Sequence, residues 1–280
     1  MLADYLKRTW QLVRRDPLYA PRAAWALLRE PFEGRERIAE RLGEWRAHGR
    51  ELPQYEAVPD WEERFHRAIH QPWPCPAHAI FDGLWLDVTG SLSRRGVQVG
   101  RTSFGGWDDG DPALARLVWC ATLHLAPRVV VETGVARGVT TRFILEALAR
   151  SGRGRLWSID VPPLLESRYR GEVGMAVPDR LRHRWQLLVG SSRRHLALLL
   201  RRLGALDLFV HDSMHTDRNM AFELGLVWPR LNAGGVLIVD DIDRSAAFAQ
   251  FQAAAPSPTI VGVADDNRAN IGIAVKEDER

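Results

Sequence analysis

The sequence predicts an α/β fold: a sheet of seven mostly parallel strands behind a helical N-terminal extension. From about residue 110, apolar segments of strand length alternate with amphipathic helical segments. That alternation is typical of a parallel sheet covered by helices on both faces. The last two apolar segments, 259–265 and 270–276, are joined by a short turn, so we expect an antiparallel hairpin. A chain of 280 residues, 46% apolar and 26% charged, has the composition of a globular protein of one or two domains.

Residues 1–104 are expected to form a helical and irregular extension, and residues 105–280 the main domain. Pro17, Pro21 and Pro31 are expected to break the first 50 residues into two or three helices. Within the irregular part that follows, the apolar segment 79–88 is consistent with a strand.

In the main domain, Asp111 is a plausible N-cap, with Pro112 at the first helical position. This pair predicts where the helix before the first strand begins. The predicted elements are, in order, a helix at 112–125, a strand at 128–134, a helix at 140–150, strands at 155–161 and 185–190, a helix at 192–204, a strand at 206–212, a helix at 217–231, a strand at 234–241, a helix at 245–254 and the hairpin.

Charge and cysteine content exclude several classes of protein. The net charge is only +3 and the basic residues are scattered, so no nucleic-acid partner is expected. Cys75 and Cys120 make neither a disulfide framework nor a zinc site by spacing, and a reducing, cytoplasmic location is the default. No apolar run approaches the roughly 18 residues of a membrane-spanning helix, and the first ten residues lack the apolar core of a secretory signal.

The positive excess is local to residues 1–50. We expect this segment to pack on the main domain or on a second subunit. In the second case the protein would be a homo-oligomer. The alternative is a basic amphipathic segment in weak contact with an anionic membrane surface.

Ligands of such sheets bind at the carboxyl ends of the strands. The first strand ends in the glycine-rich turn 132–138, just before a helix, which suits an anionic or carboxylate-bearing ligand. The spacing of the turn differs from the dinucleotide pattern G-x-G-x-x-G, and an ordinary strand-to-helix turn remains the alternative.

Two further strands end in residues suited to a nucleoside. Asp160 can accept hydrogen bonds from both ribose hydroxyls, or it is a helix cap or surface charge. Gly190 and Ser191 leave room for an adenine ring, although the serines at 191 and 192 could instead cap the next helix.

Carboxylates follow the fourth and fifth strands. Asp212 follows one, and Asp240 and Asp241 follow the other. Without a cation, mutual repulsion would raise the pKa of these carboxyls. A divalent metal, most simply Mg²⁺, removes that conflict. The alternative is that Asp212 binds an amino group of the ligand while the other two aspartates cap the loop.

As an ordered set, the segments ETGVARG, SID, VGSS, HDSMH and GGVLIVDD resemble the class I S-adenosylmethionine-dependent methyltransferases. More narrowly, they are similar to the family of macrocin- and sugar-type O-methyltransferases. The resemblance covers residues 105–280 and implies a Rossmann-like sheet of order 3-2-1-4-5-7-6 with strand 7 antiparallel. It implies a divalent metal held by Asp212, Asp240 and Asp241. It also implies S-adenosylmethionine as cofactor, contacted by Glu132, Thr133, Gly134, Ala136, Gly138, Asp160, Gly190, Ser191 and Asp212.

One position departs from this pattern. Sugar-type members often read Asp-Gly-Asp after strand 4, and the second acid is regarded as a general base, but Met214 stands there in this chain. His215, one residue on, is the substitute candidate, with Asp212 as the second catalytic residue. The alternative is that His215 packs on the helix that follows.

The expected activity is methyl transfer from S-adenosylmethionine to a hydroxyl of a small-molecule acceptor, a sugar or a natural product. A family-related hydroxylase is one alternative, but the carboxylate set lacks the arrangement of two histidines and one carboxylate that iron oxygenases use. A non-catalytic cofactor-binding protein anchored through its basic N-terminus is the other. The complete set of glycines and carboxylates speaks against it.

Overall fold

The computed structural model describes residues 19–47, 49–100, 104, 110–161, 163, 167–255 and 257–277. Its helices are α1 (Tyr19–Arg29), α2 (Pro31–Ala47), α3 (Trp61–Ala68), α4 (His78–Ser93), α5 (Pro112–Leu125), α6 (Val139–Arg150), α7 (Ser167–Glu172), α8 (Asp179–Arg182), α9 (Ser192–Leu203), α10 (Asp217–Val227) and α11 (Ala247–Ala254), with 3₁₀ turns at Trp228–Arg230 and Ile242–Arg244. Its strands are β1 (Val129–Thr133), β2 (Arg155–Asp160), β3 (Trp185–Val189), β4 (Leu206–His211), β5 (Leu231–Val239), β6 (Thr259–Val263) and β7 (Asn270–Val275).

The seven strands form one sheet of order β3-β2-β1-β4-β5-β7-β6. Strands β1 to β5 pair in parallel, whereas β7 runs antiparallel to both β5 and β6. This confirms the predicted fold class, the strand order and the terminal hairpin.

Two clusters of buried apolar side chains cover the two faces of the sheet. Val130 and Leu208 belong to the cluster shared with α3, α4, α5 and α6. Their chain neighbours Val131 and Phe209 belong to the cluster shared with α9, α10 and α11. Successive residues of a strand point to opposite faces, so a sheet buried on both sides needs strands that are apolar throughout.

Helix α5 begins where the sequence predicts. The side chain of Asp111 accepts a hydrogen bond from the backbone N–H of Ala113 at 2.9 Å, and Pro112 occupies the first helical position, where no N–H is needed. Ala126 ends the helix in the left-handed conformation.

Two expectations for the first hundred residues are wrong. The segment 79–88 is helical, because Phe81, Val88 and Leu92 are buried at spacings that repeat on one helix face. Pro21 lies within α1 and does not end it, since a proline is tolerated in the first turn. Pro31 does separate α1 from α2, while Pro17 lies outside the described residues.

The residues before the main domain share its core. Trp61 and Phe65 of α3 and Phe81 of α4 belong to the same buried cluster as α5 and α6. The division of the chain at residue 104 stays a prediction. None of the described helices combines the length and apolar character that a membrane crossing requires.

Candidate functional site

The turn after β1 brings two neighbouring strand ends into direct backbone contact. Gly134 has φ +87°, and a Cβ there would lie 1.8 Å from the carbonyl oxygen of Asp212. The backbone N–H of Asp212 in turn donates to the carbonyl of Thr133 at 2.8 Å. Only glycine fits this position, because both the backbone conformation and the missing side chain are needed.

The rest of the turn is held by the segment that follows α7. Gly138, with φ +82°, precedes α6, and a Cβ there would lie 2.9 Å from the Cα of Gly174. Ala136, a non-glycine residue with positive φ, accepts a hydrogen bond from Gly174 through its carbonyl. The buried Arg137 pairs with Glu172 at 2.8 Å. The turn before α6 is therefore held in place by its contacts with Glu172 and Gly174.

Glu132 of β1 is fully buried beneath this turn. One carboxylate oxygen, Oε2, accepts hydrogen bonds from Thr141 at 2.8 Å and Ser158 at 2.7 Å. The other oxygen is enclosed without a hydrogen-bond partner among the described residues. Burial raises the pKa of Glu132 to about 8. Such an oxygen can bind a ligand donor at little further desolvation cost.

Asp160 and Ser191 also present enclosed polar atoms at the ends of β2 and β3. One carboxylate oxygen of Asp160 and the hydroxyl of Ser191 lack a hydrogen-bond partner in the described part of the chain. Burial raises the pKa of Asp160 to about 7, against the lowering effect of the Val135 N–H and of Arg37. Gly190, with φ +144°, joins β3 to this corner. The Ser191 side chain does not cap α9, so its hydroxyl remains available to a ligand.

Helix α2 lies against the same ends of β2 and β3, and no motif in residues 31–47 indicates this contact. The buried carboxylate of Glu33 accepts a hydrogen bond from the backbone N–H of Ser191 at 3.1 Å. Arg37 donates to the carbonyl of Val161 at 3.2 Å, and Glu40 accepts from the hydroxyl of Thr216. The α2 side chains thus contact residues that follow β2, β3 and β4.

At the ends of β4 and β5, His215 takes the place that the sequence analysis expected for Asp241 in the group with Asp212 and Asp240. Asp212, His215 and Asp240 each offer a ligand atom, and these atoms lie within 4.8 Å of one another. Burial and the neighbouring aspartates raise the pKa of Asp212 and of Asp240 well above the usual value. The negative charge of Asp111, the N-cap of α5, further raises the pKa of both aspartates. Its capping role alone did not suggest this effect.

Asp241 lies beside this group, with its carboxylate directed towards His215 and Arg244. Its Oδ2 lies 3.0 Å from Nδ1 of His215 and 2.8 Å from Nε of Arg244. Although burial opposes it, contact with His215 and Arg244 holds the pKa of Asp241 below its usual value. The His215 side chain is only 8% exposed, and burial lowers its pKa. Its Nε2 lies 3.9 Å from Oδ1 of Asp212.

Glu223 of α10 is the residue that sequence reasoning missed most completely. This fully buried carboxylate accepts hydrogen bonds from Thr133 at 2.5 Å, Ser213 at 3.0 Å and Asn219 at 3.0 Å, and it contacts His211 at 2.7 Å. Despite its burial, these partners lower the pKa of Glu223 to about 2. A charged residue on a helix usually faces solvent, so the sequence held no signal for this role.

The structure therefore gathers most of the predicted site residues at one edge of the sheet. Glu132, Gly134, Asp160 and Ser191 surround the carboxyl ends of β1, β2 and β3. The oxygens of Glu132, Asp160 and Ser191 that have no partner in the described residues fit a ligand rich in hydroxyl and amino donors. Thr133 is the exception, because its hydroxyl is directed to Glu223. The roles of these residues towards a cofactor and a metal stay predictions.

Comparison with known proteins agrees with this geometry. Residues 131–242 match the family model described as a methyltransferase domain. That range runs from β1 to the turn after β5 and contains Glu132, Asp160, Asp212 and Asp240. No curated protein matches the chain.

Several solved structures share the fold at low sequence identity. An O-methyltransferase from Bacillus cereus in complex with SAH has a TM-score of 0.52 at 15% identity, covering 69% of this chain and 90% of that chain. The O-methyltransferase TomG from Streptomyces achromogenes, involved in tomaymycin synthesis and in complex with SAM, has 0.51 at 14%, covering 69% and 89%. The cofactor-bound protein Rv0187 from MTB has 0.50 at 18%, covering 80% and 100%.

Proposed function

We propose that this chain is a class I S-adenosylmethionine-dependent methyltransferase and that it transfers the methyl group of its cofactor to a hydroxyl oxygen of a small molecule with the help of a divalent cation. The observation that carries the proposal is the group formed by Asp212, His215 and Asp240 beside the Gly134 turn. Its carboxylate and imidazole groups lie at the same edge of the sheet as Asp160 and Ser191, which suit a nucleoside.

The residues around the turn are suited to hold the cofactor. The first N–H groups of a helix have no acceptor within the helix, so those of α6, which follow the glycine turn, suit a carboxylate. The unpartnered oxygen of Asp160 is free to accept from a ribose hydroxyl, and the Ser191 hydroxyl can pair with a polar edge of adenine. S-adenosylmethionine supplies both the electrophilic methyl group and the sulfide leaving group.

The aspartates are suited to hold the cation. Burial and the charges of neighbouring carboxylates raise the pKa of both Asp212 and Asp240, so a positive ion between them would relieve the cost of ionising both. Oxygen ligands favour Mg²⁺ and also suit Mn²⁺. When bound, such an ion makes an acceptor hydroxyl more acidic and aligns it.

His215 is suited to take the proton of that hydroxyl. Asp241 lies against its Nδ1, so the ring is oriented with Nε2 towards Asp212. Burial keeps the imidazole neutral and able to accept a proton. His215 would hold the proton that the acceptor hydroxyl loses, while the bound cofactor would supply the methyl group and release S-adenosylhomocysteine.

The solved relatives support an oxygen acceptor. Two of the three are O-methyltransferases by name, and one of these takes part in the synthesis of a natural product. Their low identity to this chain leaves the choice between a sugar and another natural product to experiment.

The test is direct detection of the product. The protein is incubated with S-adenosylmethionine carrying a deuterated methyl group and a panel of sugars, catechols and other hydroxylated small molecules, with and without Mg²⁺. We expect labelled methyl ether on at least one acceptor, and much less product with the Asp240→Asn variant at a limiting Mg²⁺ concentration. Two results would contradict the proposal. One is methyl transfer only to amines or thiols, and the other is a protein that binds S-adenosylhomocysteine but methylates no compound of the panel.

A further inference from the structure

A second cluster of metal-binding side chains lies in the helical layer, away from the methyl-transfer site. It contains His66 of α3, Cys75 before α4, His78 at the start of α4, and Cys120 and His124 of α5. Both cysteines are buried free thiols. Cys120 and His124 follow Asp111 by nine and thirteen residues, so the helical rise puts them about 14–20 Å along α5 from the carboxyl edge.

Cys75 is the centre of this cluster. Its sulfur lies 3.4 Å from Sγ of Cys120 and 3.1 Å from Nε2 of His124. Ligand atoms of Cys75, His66 and His124 lie within 4.8 Å of one another, and so do those of Cys75, His78 and Cys120. Around a tetrahedral zinc ion, sulfur and nitrogen ligands are separated by about 3.3–3.8 Å, so the observed spacing needs adjustments of only a few tenths of an ångström at Cys75.

The histidines present lone pairs to the cluster. Nδ1 of His66 lies 2.7 Å from the carbonyl oxygen of Glu62, which can only accept, so Nδ1 carries the proton and Nε2 the lone pair. Nε2 of His66 and Nε2 of His78 are enclosed without a hydrogen-bond partner in the described residues. Fixing a histidine through a backbone carbonyl is the usual arrangement behind a metal ligand.

Neighbouring rings cover the buried His66 and one side of the half-buried His78. The Trp73 ring centroid lies 5.0 Å from that of His66 and 5.3 Å from that of His78. Burial lowers the pKa of His78 and of His124, so both imidazoles are neutral at pH 7. Two unpartnered ring nitrogens in such a pocket are costly unless something binds them.

A disulfide does not account for the arrangement. The two sulfurs are 3.4 Å apart, well beyond the roughly 2.05 Å of a disulfide bond. A disulfide would also leave the His66 and His78 nitrogens without partners. Thiols are weak hydrogen-bond donors, and they cannot satisfy several imidazoles at once.

We propose that this cluster binds a zinc ion, with Cys75 as the central ligand and the remaining three ligands drawn from His66, His78, Cys120 and His124. Mixed sulfur and imidazole ligands suit Zn²⁺ and exclude Mg²⁺ and Ca²⁺, which require oxygen. Four protein ligands leave no open position, so the ion is structural. It ties α3 and the start of α4 to α5, which packs on the sheet.

The first experiment measures metal content. The full chain is made without a polyhistidine tag in zinc-supplemented medium, and its metals are quantified by mass spectrometry. We expect about one zinc ion per chain in the wild type and in the controls His70→Asn, an exposed histidine four residues after His66, and Asp240→Asn, in the methyl-transfer site. Cys75→Ser should retain less than a tenth of that zinc.

A second measurement uses the wild-type chain and does not require a folded variant for its spectroscopic part. Cobalt is exchanged into the wild-type chain, and its absorption spectrum is recorded. We expect the thiolate-to-cobalt charge-transfer band, with displacement by equimolar Zn²⁺. Removing the ion with a zinc-selective chelator should lower the melting temperature of the wild type, whereas Cys75→Ser should start low and not respond.

Three results would overturn the proposal. They are a wild type that neither contains nor takes up zinc, an equal zinc content in Cys75→Ser, and an intact mass showing that Cys75 and Cys120 are joined by a disulfide. Copper in place of zinc would also contradict it. The binding of S-adenosylhomocysteine should survive in Cys75→Ser, which separates this proposal from the one on methyl transfer.

Discussion

His211 and Glu223 form a hydrogen-bonded pair in the interior of the protein, with Nδ1 of His211 2.7 Å from Oε2 of Glu223 and both side chains fully buried. His211 ends β4 and Glu223 lies on α10. Since Thr133 at the end of β1 donates to the same oxygen, one carboxylate fixes two strand ends and a helix relative to one another.

Replacing Glu223 with alanine should therefore destabilise the fold strongly. Four polar partners would lose their acceptor inside the protein, so we expect the free energy of unfolding to fall by about 3–5 kcal/mol. Urea denaturation at pH 7 measures it. Glu63→Ala is the control, because Glu63 pairs with Arg67 on the exposed face of α3 and should cost less than about 1 kcal/mol. A similar cost for both variants would contradict a structural role for Glu223.

The affinity for the cofactor should depend on pH through Asp160. Ribose hydroxyls donate hydrogen bonds, so binding favours the ionised carboxylate, and burial raises the pKa of Asp160 to about 7. Raising the pH from 6 to 8 should then strengthen S-adenosylhomocysteine binding roughly tenfold, as measured by calorimetry. Asp160→Asn should bind more weakly by about 1–3 kcal/mol and show a flat profile. If both proteins share one pH profile, Asp160 does not hold the ribose.

Removing the divalent cation should abolish turnover and spare the binding of S-adenosylhomocysteine. Activity should vanish in EDTA and return with Mg²⁺ or Mn²⁺. Asp240→Asn should raise the metal concentration needed for half-maximal activity at least tenfold, whereas Asp241→Asn should leave it unchanged because Asp241 is held by His215 and Arg244. Full activity in the chelator would rule out the metal and leave the methyltransferase assignment intact.

His215→Gln should lower kcat by about 10²–10⁴-fold, because glutamine keeps much of the volume but cannot take the proton. The KM for the cofactor and the metal concentration for half-maximal activity should not change. His183→Gln, at an exposed histidine, serves as the control. A raised metal requirement would make His215 a metal ligand, and a normal kcat would reduce it to a packing residue.

Gly134→Ala should lower the stability of the fold by more than the positive φ of Gly134 alone explains. Gly134 and Gly152 both have positive φ, but a Cβ at Gly152 meets nothing within 4 Å, whereas one at Gly134 meets the backbone of Asp212. We expect Gly152→Ala to cost about 1–2 kcal/mol of stability and Gly134→Ala about 2–5 kcal/mol. Thermal unfolding compares them, and equal shifts would show that the two strand ends can separate.

The fold was predictable from local patterns that agree with one another. Asp111 and Pro112 marked the start of α5, and the short connection between the last two strands required the antiparallel pairing. The segment 79–88 was misjudged because an apolar run carries no period of its own, and only the burial of Phe81 and Val88 reveals the helical face.

The site was predictable where function coincides with the end of a strand, as for Asp160 and Asp240. Partners that depend on tertiary packing were not. Glu223 lies in a helix with no motif, and the sulfurs of Cys75 and Cys120 meet only because α5 packs beside the start of α4. Spacing along the chain cannot encode a contact between residues 45 positions apart.

The position of β7 has a consequence for the order of folding. This strand is the last of the seven along the chain, yet it lies between β5 and β6 in the sheet. During synthesis, the edge of β5 exposes its unpaired N–H and C=O groups until residue 275 has emerged, and β6 has no neighbour to pair with. The nascent chain is therefore open to edge-to-edge aggregation from the completion of β5 at Val239 until β7 has paired with it, and a chain stopped before Asn270 cannot complete its sheet.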